Sequence, residues 1–167
     1  MRRGLAEAWI LVARERTEDG EDRPVDWAKP ARELERVPLD TAVERLLDES
    51  RLGRARALAR SGDTSRALRV LEQALESNPR ATASRNLLAV LVDRRGEHDR
   101  AAELFLQNTV IDSLDVDSWF NLGLVEWARG RRLEAAEHML RASRLSPKDP
   151  EILWWLGRIA SMGDDRK

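Results

Sequence analysis

The sequence lacks cysteine and tyrosine entirely, and it has only two histidines and two phenylalanines. Without cysteine, disulfide bonds, thiolate catalysis and cysteine-ligated zinc are excluded, while the redox compartment stays undetermined. Long apolar runs are missing too. The stretch from Ala8 to Ala13 is far shorter than the roughly 18 residues that a membrane span requires. Glu7 and the charged residues after Ala13 also do not fit a secretory signal. We therefore predict a cytoplasmic chain without membrane insertion.

Neither sign of charge is in excess, since 29 Lys and Arg residues face 30 Asp and Glu residues. This balance gives no general attraction to nucleic acid, and we predict no nucleic-acid partner. Lysine occurs only at Lys29, Lys148 and Lys167, so almost every basic residue is arginine. Either codon usage in a GC-rich genome or selection for bidentate recognition of carboxylates accounts for this bias.

Residues for catalysis or metal binding are equally scarce. His98 and His138 occupy different repeat positions, and no carboxylate pair accompanies them at metal-ligand spacing. We expect His98, in a turn region, to face solvent. No phosphate-binding loop or nucleophile elbow is present. The sequence therefore predicts no enzyme activity, no metal site and no cofactor.

What the sequence does contain is a repeat of 34 residues. Glycines recur at this step, and their tolerance of left-handed backbone predicts the end of the first helix in each pair. Prolines are expected to stop the second helix. Small residues allow two helices to approach closely, and large apolar residues fill the space between pairs. The columns are Gly62, Gly96 and Gly130; Ala67, Ala101 and Ala135; Leu71, Phe105 and Met139; Ala55, Ala89, Gly123 and Gly157; and Pro79 with Pro147.

These residues resemble the tetratricopeptide repeat family, whose pattern is Trp-x2-Leu-Gly-x2-Tyr, then Ala-x3-Phe, then Pro. Residues 116–149 match it at Trp119, Leu122, Gly123, Ala135, Met139 and Pro147. The resemblance implies an all-α, right-handed superhelix of antiparallel helix pairs. It places repeats at 48–81, 82–115 and 116–149, with a capping half-repeat at 150–163. The tyrosine column departs from the family, since it holds Leu58, Val92, Glu126 and Ala160.

The first 47 residues fit no repeat register, and we expect them to form N-terminal capping helices. Residues 4–16 read as an amphipathic helix, and residues 17–30 read as an acidic connector. An alternative role for this region is oligomerisation or docking through Trp9 and Trp27. The connector is a candidate lid over the arginines of residues 51–60. Residues 40–60 form either one long helix or two helices in line.

The resemblance also implies a concave groove lined by the first helix of each pair. The chaperone-tail clamp of the family is absent, because Leu52, Leu87 and Asp117 replace its polar ligands. The groove is arginine-rich at one end and aromatic at the other, which suits a protein or peptide with acidic and apolar segments. Its predicted residues are Arg56, Arg60, Asn86, Val90, Asp93, Phe120, Asn121, Leu124, Trp127, Trp154 and Arg158.

Tryptophan divides into two kinds. Trp119 occupies the structural column of the family, and we expect it in the core. Trp127, Trp154 and Trp155 bring much apolar surface to the end of the array. Either these three pack on each other or a partner covers them.

The function implied by the resemblance is an interaction scaffold: an adaptor or a chaperone-like assembly factor. One alternative is a self-assembling structural protein that forms a homo-oligomer through Trp9, Trp154 and Trp155. The other is a regulatory or targeting module of a larger bacterial secretion or signalling machine.

Overall fold

The computed structural model describes residues 41–164, and within this range the chain forms helices and no strand. The helices are α1 Thr41–Arg60, α2 Thr64–Ser77, α3 Thr82–Asp93, α4 His98–Ile111, α5 Val116–Ala128, α6 Arg132–Leu145 and α7 Pro150–Asp164. The chain divides into two compact units, Met1–Ser84 and Arg85–Lys167. The predictions for residues 4–16 and 17–30, including Trp9, Trp27 and the lid, lie outside the described residues.

In the first unit, α1 packs against α2. α1 is one continuous helix, which decides between the two alternatives for residues 40–60. The buried side chains of α2 recur at helical spacing and end in Ala74. Leu71 and Ala55 are fully buried, and each large apolar side chain so placed contributes roughly 1.5–3 kcal/mol. Asn78, after the last turn of α2, donates a hydrogen bond to the carboxylate of Asp48 on α1.

The turns within the helix pairs follow the predicted glycines. Gly62, Gly96 and Gly130 have φ values of +84°, +81° and +78°, a region that other residues adopt only at a cost. Asp63 follows the first of these and caps α2, since its side chain accepts a hydrogen bond from the backbone N–H of Arg66. The prediction that these glycines end the first helices in left-handed conformation is confirmed.

In the second unit, α4 packs against α5, α5 against α6, and α6 against α7. Arg85 on α3 reaches α4, where its Nη1 donates to Asn108 Oδ1 at 3.1 Å. The core contains the expected large residues, since Phe105 and Met139 are fully buried. The repeat boundaries at 48, 82, 116 and 150 stay predictions. No helix between residues 41 and 164 combines the length and the apolar character that crossing a membrane requires.

Candidate protein-interaction site

The site is built on α5, whose start is fixed by Asp115. The Asp115 side chain accepts hydrogen bonds from the backbone N–H of Ser118 at 3.2 Å and from its hydroxyl at 2.6 Å. Such a cap satisfies backbone donors that the first turn of a helix leaves free. This cap sets the register of α5, and the register decides which side chains face α6.

The two faces of α5 have different environments. The inner face is buried and consists of Ser118, Leu122, Gly123, Val125 and Glu126. The other face carries residues predicted for the groove, and all of them are half-buried: Phe120, Asn121, Leu124 and Trp127. The spacing of Phe120, Leu124 and Trp127 places them along one side of the helix. α5 therefore presents an apolar stripe that keeps part of its surface exposed.

α6 lies against α5 at Gly123. A Cβ added there would lie 2.7 Å from Met139 Cγ and 3.2 Å from the carbonyl oxygen of Ala135. These distances are too short for any side chain, so glycine allows α6 its close approach. The small-residue column thus has the expected role at this repeat.

An aromatic cluster forms where α7 meets α5, and we define it as Trp127, Trp154, Trp155 and Arg158. The rings of Trp127 and Trp155 pack edge to face, with centroids 5.9 Å apart. Those of Trp154 and Trp155 do the same at 5.2 Å. This geometry is favoured by the ring quadrupoles. The three tryptophans pack on each other, as one of the two sequence alternatives had it, yet Trp154 stays 57% exposed.

Arg158 belongs to the aromatic cluster by cation–π contact. Its guanidinium carbon lies 5.3 Å from the centroids of Trp154 and Trp155, and 6.0 Å from that of Trp127. Arg132 lies 5.6 Å from the Trp127 ring. α7 is held in position by its cap, because Asp149 accepts from the backbone N–H groups of Glu151 and Ile152. The cluster therefore combines exposed aromatic surface with positive charge.

Glu126, the acidic residue in the tyrosine column, is 6% exposed. Its Oε1 accepts from Arg129 Nη1 at 2.6 Å, and its Oε2 lies 3.7 Å from Arg131 Nη1 without a hydrogen bond. Arg129 also pairs with Asp99 on α4 at 2.7 Å. The buried charge is thus compensated by arginine.

Trp119 and His138 form a second ring contact, with centroids 5.7 Å apart. Trp119 is half-buried, and its Nε1 donates to the carbonyl of Ser113 at 3.0 Å. Trp119 is therefore less buried than we expected for a core residue, because its indole N–H reaches the exposed loop before α5. Burial lowers the pKa of His138 from its usual value of 6.5, and this outweighs the opposite effect of Glu126, Glu137 and Glu134.

The other predicted groove residues are spread over two helices. Asn86, Val90 and Asp93 are half-buried on α3, while Arg56 and Arg60 are exposed on α1, in the first unit. Asp93 is engaged, since its Oδ1 lies 2.7 Å from Nδ1 of His98. The sequence expectation that His98 simply faces solvent was therefore incomplete: it is partly exposed and paired across the turn. The structure brings together Trp127, Trp154 and Arg158. Whether the eleven residues form one surface stays a prediction.

Sequence reasoning missed two features of the site. No periodic pattern in the sequence indicates that Arg132 lies beside Trp127, because the chain reverses at Gly130 between them. The ion pair of Glu126 and Arg129 could have been predicted from the i, i+3 spacing of opposite charges on a helix. Within the described range, no three His, Asp or Glu side chains converge as metal ligands would.

Helix pairs that recur every 34 residues and expose an aromatic face define a helical-repeat scaffold, a class that works by presenting surfaces to other proteins. Residues 52–115, 106–150 and 120–162 each match the tetratricopeptide repeat. The chain belongs to the tetratricopeptide repeat family. Proteins of this family are in general non-enzymatic interaction scaffolds, and protein partners follow from that class.

Solved structures show the same fold. MamA from Desulfovibrio magneticus RS-1 is 18% identical, with a TM-score of 0.70 over 96% of this chain and 86% of its own. PilF from Pseudomonas aeruginosa is 15% identical, with a TM-score of 0.76 over 98% of this chain and 71% of its own. The predicted all-α, tetratricopeptide-like fold is confirmed. No curated protein matches the sequence.

Proposed function

We propose that the chain is a cytoplasmic adaptor or chaperone-like assembly factor that binds a segment of a partner protein across α5 and α7. The observation that carries this proposal is the aromatic cluster. An exposed arginine lies among three tryptophans, and one of these tryptophans is 57% exposed. Tryptophan and arginine are the residues most enriched among those that dominate binding energy.

The charge of the cluster indicates what the partner carries. Within the described residues Arg158 makes no ion pair with a carboxylate, and neither does Arg132. A guanidinium with an aromatic face behind it keeps its N–H donors for an incoming carboxylate. An aspartate or glutamate of the partner would supply that group.

The apolar stripe on α5 supplies the second half of the recognition. Phe120 and Leu124 lie on the same side of α5 as Trp127, and each keeps part of its surface exposed. Asn121 offers both a donor and an acceptor for the backbone of a bound segment. The preferred ligand is therefore a short segment with apolar anchors beside an acidic residue. Asn86, Val90 and Asp93 on α3, in the same unit as α5 and α7, extend this proposed surface.

A peptide-display selection tests the proposal, because it samples random peptides and requires no purified partner. The whole chain is the bait, and the variant bait carries Arg158→Glu. The parent should enrich peptides with an aromatic or aliphatic anchor near Asp or Glu. The variant should enrich peptides with Lys or Arg at that place, because the charge of the cluster is reversed.

The matched control is Arg144→Glu, an equally basic, exposed position on α6 outside the cluster. Its selected peptides should equal those of the parent. The proposal fails if the parent enriches no common pattern, or if Arg158→Glu and Arg144→Glu yield the same peptides.

A further inference from the structure

Two glycines in the same repeat column have opposite surroundings. At Gly123 an added Cβ would collide with Met139 and approach the backbone of Ala135, because α6 covers this face of α5. At Gly157, which is the equivalent residue of α7, an added Cβ would meet nothing within 4 Å. Ala55 and Ala89, in the same column, have no exposed surface. The face of α7 around Gly157 is therefore the place where a repeat of this chain receives a second helix.

The remainder of this face is apolar as well. Leu153, Leu156, Gly157 and Ala160 recur at i, i+3, i+4 and i+7, and we call them the open face of α7. Leu153 is 48% exposed, and both Gly157 and Ala160 are exposed. Of the equivalent residues in α5, Leu122, Gly123 and Glu126 are buried, and Trp119 is half-buried. The open face thus has the composition of a helix-packing surface.

The repeats themselves show what fits such a face. Each second helix buries a small-x3-large-x2-small pattern, with asparagine in the last position of one of them. The three examples are Ala67, Leu71 and Ala74 in α2; Ala101, Phe105 and Asn108 in α4; and Ala135, Met139 and Ala142 in α6. The first small residue allows close approach, and the large one fills the space beside it. The occupant of the open face is therefore an amphipathic helix with this spacing.

The sequence contains the pattern once more, ahead of the described residues. Ala6, Ile10 and Ala13 repeat it, and Trp9 stands where α2 has Val70. This stretch precedes α1, so no short turn joins it to α7 as turns join the other second helices. We propose that residues 4–16 of one copy pack as a second helix on the open face of α7 in a neighbouring copy.

The contact joins two different surfaces, so it is head-to-tail and extends to further copies unless it closes into a ring. It goes beyond the function proposed above, because it uses the side of α7 at Leu153 and Gly157, which adjoins the side that carries Trp154 and Arg158. An aromatic cluster that binds no peptide would leave this inference untouched.

Sedimentation equilibrium of the whole chain over a range of concentrations tests the contact. The parent should exceed its monomer mass of 19.1 kDa as concentration rises. Gly157→Leu should weaken the association about tenfold or more, because leucine fills the space that the second helix needs. Gly157→Ala is the matched control, and it should associate like the parent, since alanine serves at positions 55 and 89. Circular dichroism confirms that each variant is folded.

A mixing experiment identifies the second surface. Ile10→Glu should weaken association by placing a charge in the contact, as Gly157→Leu does from the other side. Each variant alone should sediment as a monomer, while their mixture should form a dimer, because one copy keeps the helix and the other keeps the open face. A parent that stays monomeric at all concentrations overturns the proposal, and so does association that Gly157→Leu leaves unchanged. If the mixture stays monomeric, residues 4–16 are not the occupant.

Discussion

α5 and α7 are equivalent first helices of their repeats. Comparison of the two shows that the repeat position predicts the residue type, while the neighbouring helix determines whether that residue is buried. Both carry leucine and glycine in the same columns, at Leu122 and Gly123 and at Leu156 and Gly157. α6 covers Gly123 in α5, where Leu122 is buried as well, while no described element covers Gly157. In repeat proteins stability resides largely in such interfaces between neighbours. The same residue types should therefore tolerate substitution very differently in α5 and in α7.

The largest difference in stability between variants of α5 and α7 is expected at the tyrosine column, which holds Glu126 in α5 and Ala160 in α7. Replacing Arg129 by Met leaves the buried carboxylate of Glu126 with only the longer contact to Arg131. Removal of one partner of a buried ion pair costs about 3 kcal/mol, because the remaining charge is not compensated. Urea unfolding of the Arg129→Met variant, monitored by circular dichroism, should show a loss of this size.

Two controls sharpen this prediction. Glu126→Leu with Arg129→Met should recover most of the stability, since apolar residues stand in this column at Leu58 and Val92. Ala160→Glu places the same acid in α7, where the position is exposed, and at low protein concentration it should change the free energy of unfolding by less than about 0.5 kcal/mol. A large loss from Ala160→Glu would show that this part of α7 is covered.

The second difference concerns the paired glycines. Gly123→Ala should lower the free energy of unfolding by up to about 2 kcal/mol, because the clash with Met139 exceeds the gain in helix propensity. Gly157→Ala should raise it by roughly 0.5–1 kcal/mol, since alanine is the better helix former and meets no neighbour. Both variants are measured in urea at low protein concentration. Equal effects at the two positions would contradict the comparison.

Much of the fold was predictable because its signals are local. The 34-residue step of Gly62, Gly96 and Gly130 predicted the turns, and the positive φ values confirm the left-handed backbone that the step implied. The helix caps are local as well, because Asp63 and Asp115 bind backbone N–H groups that lie three residues further along the chain. In a repeat protein the contacts that build each pair are short in sequence, so the residue pattern indicates them directly.

The candidate site was less predictable because its contacts cross between helices. The ion pair of Arg129 with Asp99 joins two residues, one directly after α5 and one on α4, that no periodic pattern relates. The packing of Arg158 among three tryptophans depends on the angle at which α7 meets α5. The sequence indicated that Trp127, Trp154 and Trp155 were unusual, but it could not place the charge beside them.

The smallest effect we predict is a loss of stability at acidic pH that arises from His138. Because burial lowers the pKa of His138 below 6.5, the unfolded chain binds this proton more tightly than the folded chain does. The contribution to stability is therefore complete above pH 6.5 and is lost as pH falls through the lowered pKa. Between pH 7 and pH 5 the free energy of unfolding should decrease, and His138→Gln should make this decrease shallower.

The pKa shift of Asp48 has the opposite sign to that of His138, because burial raises the pKa of Asp48 above 3.8 despite the hydrogen bond from Asn78. Its contribution is complete below pH 3.8 and is lost as pH rises through the raised pKa, so it does not produce the decrease predicted for His138. Subtracting the pH profile of His138→Gln from that of the parent cancels the contribution of Asp48, because both chains keep this residue. If His138→Gln leaves the decrease as steep as in the parent, the burial of His138 against Trp119 has no energetic consequence.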